Sequence, residues 1–316
     1  MFFKKFFNVT IVILFIAQSR CSREEEVSRE KKSDVLRKNP EKTSVDRVKD
    51  DMKYLVSLNG RKSFTADSLK TAEFLKKFMQ TMEMIPFKND FMIKYSDSRG
   101  TEQNVFGCLN PVSEKFVLVG AHFDHLGKSG NHLFPGADDN ASGVSAVMEI
   151  IRLLNSSKEK LNVCFIFFSG EEMGLKGSKA FVKENESLVK KTKLMINLDM
   201  VGREFFGIIM KKSSPMGIGI ITDGISKNVE KTITTNCEKN MLSPILLGES
   251  LIRSFGADYY YDSIPFNKKG IPTIFFSTGL HKDYHAESDT IDKINFDKIV
   301  ATAKAVTDII RNLQNH

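Results

Sequence analysis

The sequence predicts a single three-layer α/β domain, a mostly parallel central sheet with helices on both faces. Three observations predict it. Four near-continuous apolar runs, Phe116–Ala121, Val163–Phe168, Leu194–Leu198 and Ile271–Phe276, read as strands buried on both sides rather than as alternating edge strands. Segments with apolar residues at helical spacing lie between them, which argues for strand–helix alternation around a parallel sheet. Each run also ends in polar residues, as expected where ligands bind beyond the carboxyl ends of strands in an open α/β sheet.

Taken in order, the chain opens with a segment that reads as an export signal, residues 1–19. Lys4 and Lys5 form a basic start, Val9–Ala17 an apolar stretch, and Ala17-Gln18-Ser19 a small-x-small cleavage site. The apolar region is about 12 residues, too short to span a bilayer as a helix of the mature chain. Cys21 follows at once, so both plain secretion or a periplasmic location and a lipid anchor at Cys21 stay open. Residues 20–43 are polar and highly charged and read as a disordered tether, because they lack apolar surface to bury. The domain is placed at 44–316.

Within it, Val45, Val48, Met52, Leu55 and Val56 predict a helix over 44–57, and Leu69, Ala72, Leu75, Phe78 and Met79 another over 66–82. Phe91–Tyr95 and Asn104–Leu109 are short extended runs. Ser142–Leu154, Leu175–Lys183 and Asp297–Leu313 are the remaining helices. Residues 203–262 carry weaker signals and are expected to form an insertion that walls or lids a site. Cys108, Cys164 and Cys237 are expected to be buried thiols, since three is an odd number and no zinc-thiolate spacing is present.

Composition narrows the function. With 41% hydrophobic and 27% charged residues the chain is ordinary globular protein, neither wholly disordered nor polytopic. The formal charge of +7 is scattered, with no basic stripe carrying interleaved aromatics, so no nucleic-acid partner is expected.

The chemistry is concentrated at the strand ends: GAHFDHLG (120–127), GADDNASG (136–143), GEEMG (170–174), NLDMVG (197–202) and YHAESDT (284–290). Histidines and carboxylates without a thiolate suit a hard-to-borderline divalent cation in a catalytic site with open positions. His122 and Asp124 stand at i and i+2, so Asp124 can hold the imidazole if the strand continues. Asp139 precedes a helix and has two oxygens with which to bridge two ions. Of the adjacent Glu171 and Glu172, one can ligate while the other faces a metal-held water. Asp199, an acid breaking an apolar strand, needs a partner, and His285 completes the set. His125, His132, His281 and His316 are expected to be structural or surface residues.

These motifs, in this order over about residues 45–310, resemble the zinc aminopeptidase family typified by aminopeptidase Y, whose relatives include glutamate carboxypeptidase, glutaminyl cyclase and the transferrin receptor. The resemblance implies a zinc-peptidase-like fold and a metallo-aminopeptidase with two zinc ions per chain and peptide substrates, and the export signal places it outside the cytoplasm. It implies that His122 and Asp199 hold one zinc, Glu172 and His285 the other, and that Asp139 bridges them. Glu171 then matches the general base acting on a metal-bridging hydroxide, Asp124 a residue supporting a ligand, and Tyr284 a tyrosine that polarises the substrate carbonyl. Arg203 is a candidate contact for the far end of the substrate. The chain reads Tyr261-Asp262-Ser263-Ile264-Pro265-Phe266 where family members often carry Ser-Asp-His before a Pro-Phe pair. Two other readings stay open on the same scaffold: a glutaminyl cyclase-like transferase and a non-catalytic binding protein.

Overall fold

A computed structural model describes residues 42–112, 114–157, 159–205, 214–248 and 261–314. The signal and the tether lie outside the described residues up to residue 41. Thr43, assigned above to the end of the tether, belongs to the domain: its side chain caps the first helix and Asp46 returns the bond to the Thr43 backbone.

The elements run α1 (Ser44–Val56), a short turn at Asn59–Arg61, α2 (Ala66–Thr81), β1 (Ile85–Pro86), β2 (Met92–Asp97), β3 (Gly100–Cys108), β4 (Phe116–His122), β5 (Gly127–Ser129), β6 (His132–Phe134), α3 (Gly143–Asn155), β7 (Val163–Phe168), α4 (Lys176–Glu184), α5 (Glu186–Lys191), β8 (Thr192–Leu198), β9 (Gly217–Asp223), α6 (Lys227–Lys239), β10 (Ser243–Gly248), α7 (Ile264–Asn267), β11 (Thr273–Ser277) and α8 (Phe296–Gln314). The main sheet has the order β1-β3-β7-β4-β8-β11-β9-β10, with β2 hydrogen-bonded to β3. Its centre, β7-β4-β8-β11, is parallel. β3 joins antiparallel on one side and β9 on the other, and β10 runs parallel to β9.

Period-two geometry explains the layers. Along β7, Val163, Phe165 and Phe167 face a large core shared with α1, α2, α3, α6 and α8. Cys164, Ile166 and Phe168 face a smaller core that holds Phe181 of α4, Leu188 of α5 and Phe266 of α7. Strands apolar on both faces are therefore covered on both faces, as the continuous runs predict.

Two expectations are corrected. Residues 203–262 are not simply a wall or lid: β9, α6 and β10 extend the sheet and its helical layer, while 206–213 and 249–260 fall outside the described residues. β9 carries Gly217 and Gly219, whose weak strand propensity hides it; a Cβ at Gly217 would lie 2.9 Å from Phe205 Cβ. Cys108 and Cys164 are not thiols but a disulfide, and among the described residues Cys237 remains free and buried. They are register partners on β3 and β7, with Cα atoms 3.9 Å apart. An odd count forbids no single pair, and cross-strand register cannot be read from spacing.

The cross-link joins residues 56 apart in sequence. Loop-closure entropy assigns such a link about 4 kcal/mol. The Cys108→Ala/Cys164→Ala chain is accordingly expected to melt roughly 10 °C lower by calorimetry; an unchanged midpoint would contradict this.

Candidate metal centre

Because β4, β7, β8 and β11 are parallel, their carboxyl ends share one edge of the sheet. His122 is the last residue of β4, Glu171 and Glu172 follow β7, Asp199 follows β8, and His281–His285 follow β11. Asp139 comes from the Ala137–Ser142 turn that leads into α3.

Six donor side chains meet there in two groups, His122, Asp139 and Asp199 in one, and His125, Asp139, Glu172 and His285 in the other. Asp139 divides between them. Its Oδ1 lies 3.5 Å from His122 Nε2, and its Oδ2 lies 3.3 Å from His285 Nε2. His122 Nε2 is 3.2 Å from Asp199 Oδ1, and His285 Nε2 is 3.0 Å from Glu172 Oε2. Donors bound tetrahedrally at 2.0–2.1 Å stand about 3.3 Å apart, so these spacings fit zinc-sized cations. His285 Nε2 is buried without a hydrogen-bond partner, an orphan that a cation would satisfy.

His125 differs. Its Nδ1 lies 2.7 Å from Glu172 Oε1, a hydrogen-bond length on the oxygen that does not face His285. His125, set aside in the sequence as structural, thus orients Glu172, a candidate ligand. The signal was the second histidine of GAHFDHLG, but nothing in spacing separates it from a surface residue.

The turn bearing Asp139 is fixed by its neighbours. A Cβ at Gly136, φ 58°, would meet Asp139 O at 2.2 Å and the His125 ring at 2.5 Å, so only glycine fits. The Asp139–Asn140 peptide is cis. Asp289 accepts the backbone N–H groups of Asp138 and Asp139. Asn140 Oδ1 accepts from Gly143 N and Met200 N, and its Nδ2 donates to Leu198 O. Ser142 Oγ accepts from Val201 N. The motif GADDNASG is therefore mostly a clamp between α3 and the end of β8, and Asp139 is the member left for the cage.

Asp124 does stand behind His122, at 3.7 Å from its Nδ1, although β4 has ended; the ring's nearer partner is the Asp124 backbone carbonyl at 3.2 Å. The Asp124 carboxylate instead accepts from Ser63 Oγ and from the backbone N–H of Glu171, and so links the base candidate to the His122 loop.

Electrostatics separate the two glutamates. Burial, reinforced by Asp199, Asp262 and Glu172 against the opposing charge of His122, lifts the Glu171 carboxyl well above the usual range. Burial acts on Glu172 too, but the hydrogen bond with His125 and the nearby His285 ring outweigh it and hold that carboxyl below the usual range. Their surroundings thus push the two neighbouring carboxyls apart in proton affinity, Glu171 upward and Glu172 downward. Asp139 is raised to about 6 by burial and by Glu172. His285 is raised to about 10, the Asp139 and Glu172 carboxylates overcoming burial. Asp262, in the segment that departs from the family pattern, is fully buried and pushed by burial up to about 7.

The remaining expected residues sit at the rim. Tyr284 is 38% exposed and stacks on the His285 ring. Arg203 follows β8 but is paired with Asp283 at 2.7 Å, which ties the β8 and β11 loops together. His281, also set aside as structural, faces Asp138 at 3.2 Å. Glu171 lies beside the cage without belonging to either donor group. Exposure of the His285 side chain, 34%, against 1% for His122 shows which flank opens to solvent.

The family model described as Peptidase family M28 matches residues 104–310. Aminopeptidase YwaD of Bacillus subtilis (strain 168) is 31% identical over 217 residues, 66% of this chain and 44% of that protein. A probable leucine aminopeptidase 1 of Trichophyton verrucosum is 29% identical over 64% of this chain and 55% of its own length. The chain spans about half the length of the curated relatives it matches. Among solved structures, BSAP, a zinc aminopeptidase from Bacillus subtilis, aligns with a TM-score of 0.55 at 28% identity, covering 68% of this chain and 51% of that one. The LapA aminopeptidase of Legionella pneumophila aligns with a TM-score of 0.68 over 86% of this chain and 72% of that one; at 20% identity it speaks for the fold alone. The fold, the motif order and the family match agree: this chain belongs to Peptidase family M28.

Proposed function

We propose that the chain is an extracytoplasmic zinc-dependent aminopeptidase that removes N-terminal residues from peptides. The observation that carries the reading is Asp139, which turns one oxygen toward His122 and the other toward His285. That is a bridging geometry for two cations, with Glu171 alongside. The relatives named above, an aminopeptidase and a zinc aminopeptidase structure, support both activity and metal. When bound, a pair of zinc ions supplies Lewis acidity and makes water acidic enough to ionise near neutral pH.

The residues do the rest. Glu171 takes the proton of the attacking water and returns it to the leaving amine; its raised affinity for a proton suits both halves of that task. Asp124 fixes the Glu171 backbone. Tyr284, at the exposed rim, offers its hydroxyl to the substrate carbonyl as charge develops there. The Cys108–Cys164 disulfide supports export to an oxidising compartment, in line with the export signal read over residues 1–19 and with either secretion or an anchor at Cys21.

Peptides with free and N-acetylated amino termini, incubated with the zinc-loaded protein and resolved by mass spectrometry, test the reading. Cleavage restricted to the free peptides, one residue at a time, is expected. Internal cleavage of acetylated peptides would overturn the exopeptidase assignment, and cyclisation of an N-terminal glutamine without hydrolysis would replace it with a transferase.

A further inference from the structure

The loops that carry the cage are not held by one another alone. Three of them converge on residues 59–63, between α1 and α2, a segment outside the stretch matched by the family model. Arg61 is fully buried and makes no ion pair among the described residues. Its guanidinium donates to four backbone carbonyls instead. Nε bonds Phe123 O at 2.8 Å, Nη1 bonds Leu55 O at 3.1 Å and Pro135 O at 2.9 Å, and Nη2 bonds Gly136 O at 2.7 Å. Phe123 lies between His122 and Asp124, and Gly136 opens the turn that carries Asp139.

Ser63 reaches the third loop. Its hydroxyl donates to Asp124 Oδ2 at 2.9 Å and accepts from Gly170 N at 2.9 Å, the residue before Glu171. Gly60, φ 71°, brings the segment against the β5–β6 hairpin, where a Cβ would lie 2.3 Å from Phe134 O.

A buried cation spent wholly on carbonyls is expensive, and removing its charge alone would be easier to tolerate than losing a fork of this shape. Burial lowers the Arg61 pKa only to about 10, with Asp139, Asp289, Asp124 and Glu172 opposing, so the group stays charged.

We propose that Arg61 and Ser63 are positioning residues that hold the 122–124, 135–139 and 170–172 loops in register, so that the cage is formed before a cation arrives. The inference rests on the metal reading above. Zinc dissociation constants, read by competition with a chromophoric chelator, and kcat and KM at saturating zinc test it, with folding checked by circular dichroism. Arg61→Met and Arg61→Lys are both expected to weaken zinc binding by about 10- to 100-fold, because an ammonium cannot span four carbonyls. Ser63→Ala is expected to keep zinc within a few-fold and to lower kcat roughly 10-fold at unchanged KM, since it loosens Asp124 and Glu171. If both Arg61 variants fail to fold, the Ser63→Ala kcat decides. Wild-type zinc affinity in a folded Arg61 variant, with unchanged kcat in Ser63→Ala, overturns this inference alone. A wild-type chain that binds no zinc overturns the metal reading and this inference with it.

Discussion

Glu171→Gln is expected to lower kcat by about 10²- to 10⁴-fold, the usual contribution of a general base, while zinc content and KM stay close to wild type. The amide keeps the shape of the side chain and cannot accept a proton. Glu171 belongs to neither donor group, so its loss should not empty the cage. Its backbone N–H stays on Asp124 in either case, so the loop should keep its course. Steady-state kinetics beside elemental analysis read the two effects separately. Unchanged turnover would remove Glu171 from the chemistry, and loss of zinc together with activity would make it a ligand instead.

Asp139→Ala is expected to do more damage. Asp139 is the only member common to both donor groups. The substitution takes one oxygen from the His122 half and one from the His285 half, and leaves the two imidazoles facing each other without the charge between them. Zinc retention should fall below one ion per chain after dialysis, and peptidase activity should drop below the level of the Glu171→Gln chain. The fold should survive, because the backbone N–H of residue 139 still reaches Asp289 and the Asn140 and Ser142 bonds are untouched. A melting point near wild type would establish that. An Asp139→Ala chain that keeps two zinc ions would remove the bridge.

Much of this was legible in the sequence, for physical reasons. Strands buried on both faces must be apolar throughout, so Phe116–Ala121 and Val163–Phe168 announce themselves, and the first polar residue after each marks the sheet edge where the site lies. Asp199 stood out because an acid at the end of an apolar run must have a partner. What stayed hidden depends on contacts between distant segments. Cys108 and Cys164 pair through strand register. His125 orients Glu172 from a position that looks like any loop histidine. Arg61 and Ser63 act more than sixty residues before most of the side chains they support, through backbone carbonyls and amides that carry no residue signature. β9 and β10 were obscured by glycines and a proline in short strands.

Side chains from five loops come together as one candidate cage for two cations. Native mass spectrometry of the wild-type chain titrated with zinc counts the ions that the cage holds. Two tightly held ions per wild-type chain and one in His285→Ala are expected. A wild-type chain that saturates at one ion, or a His285→Ala chain that still holds two, would contradict it.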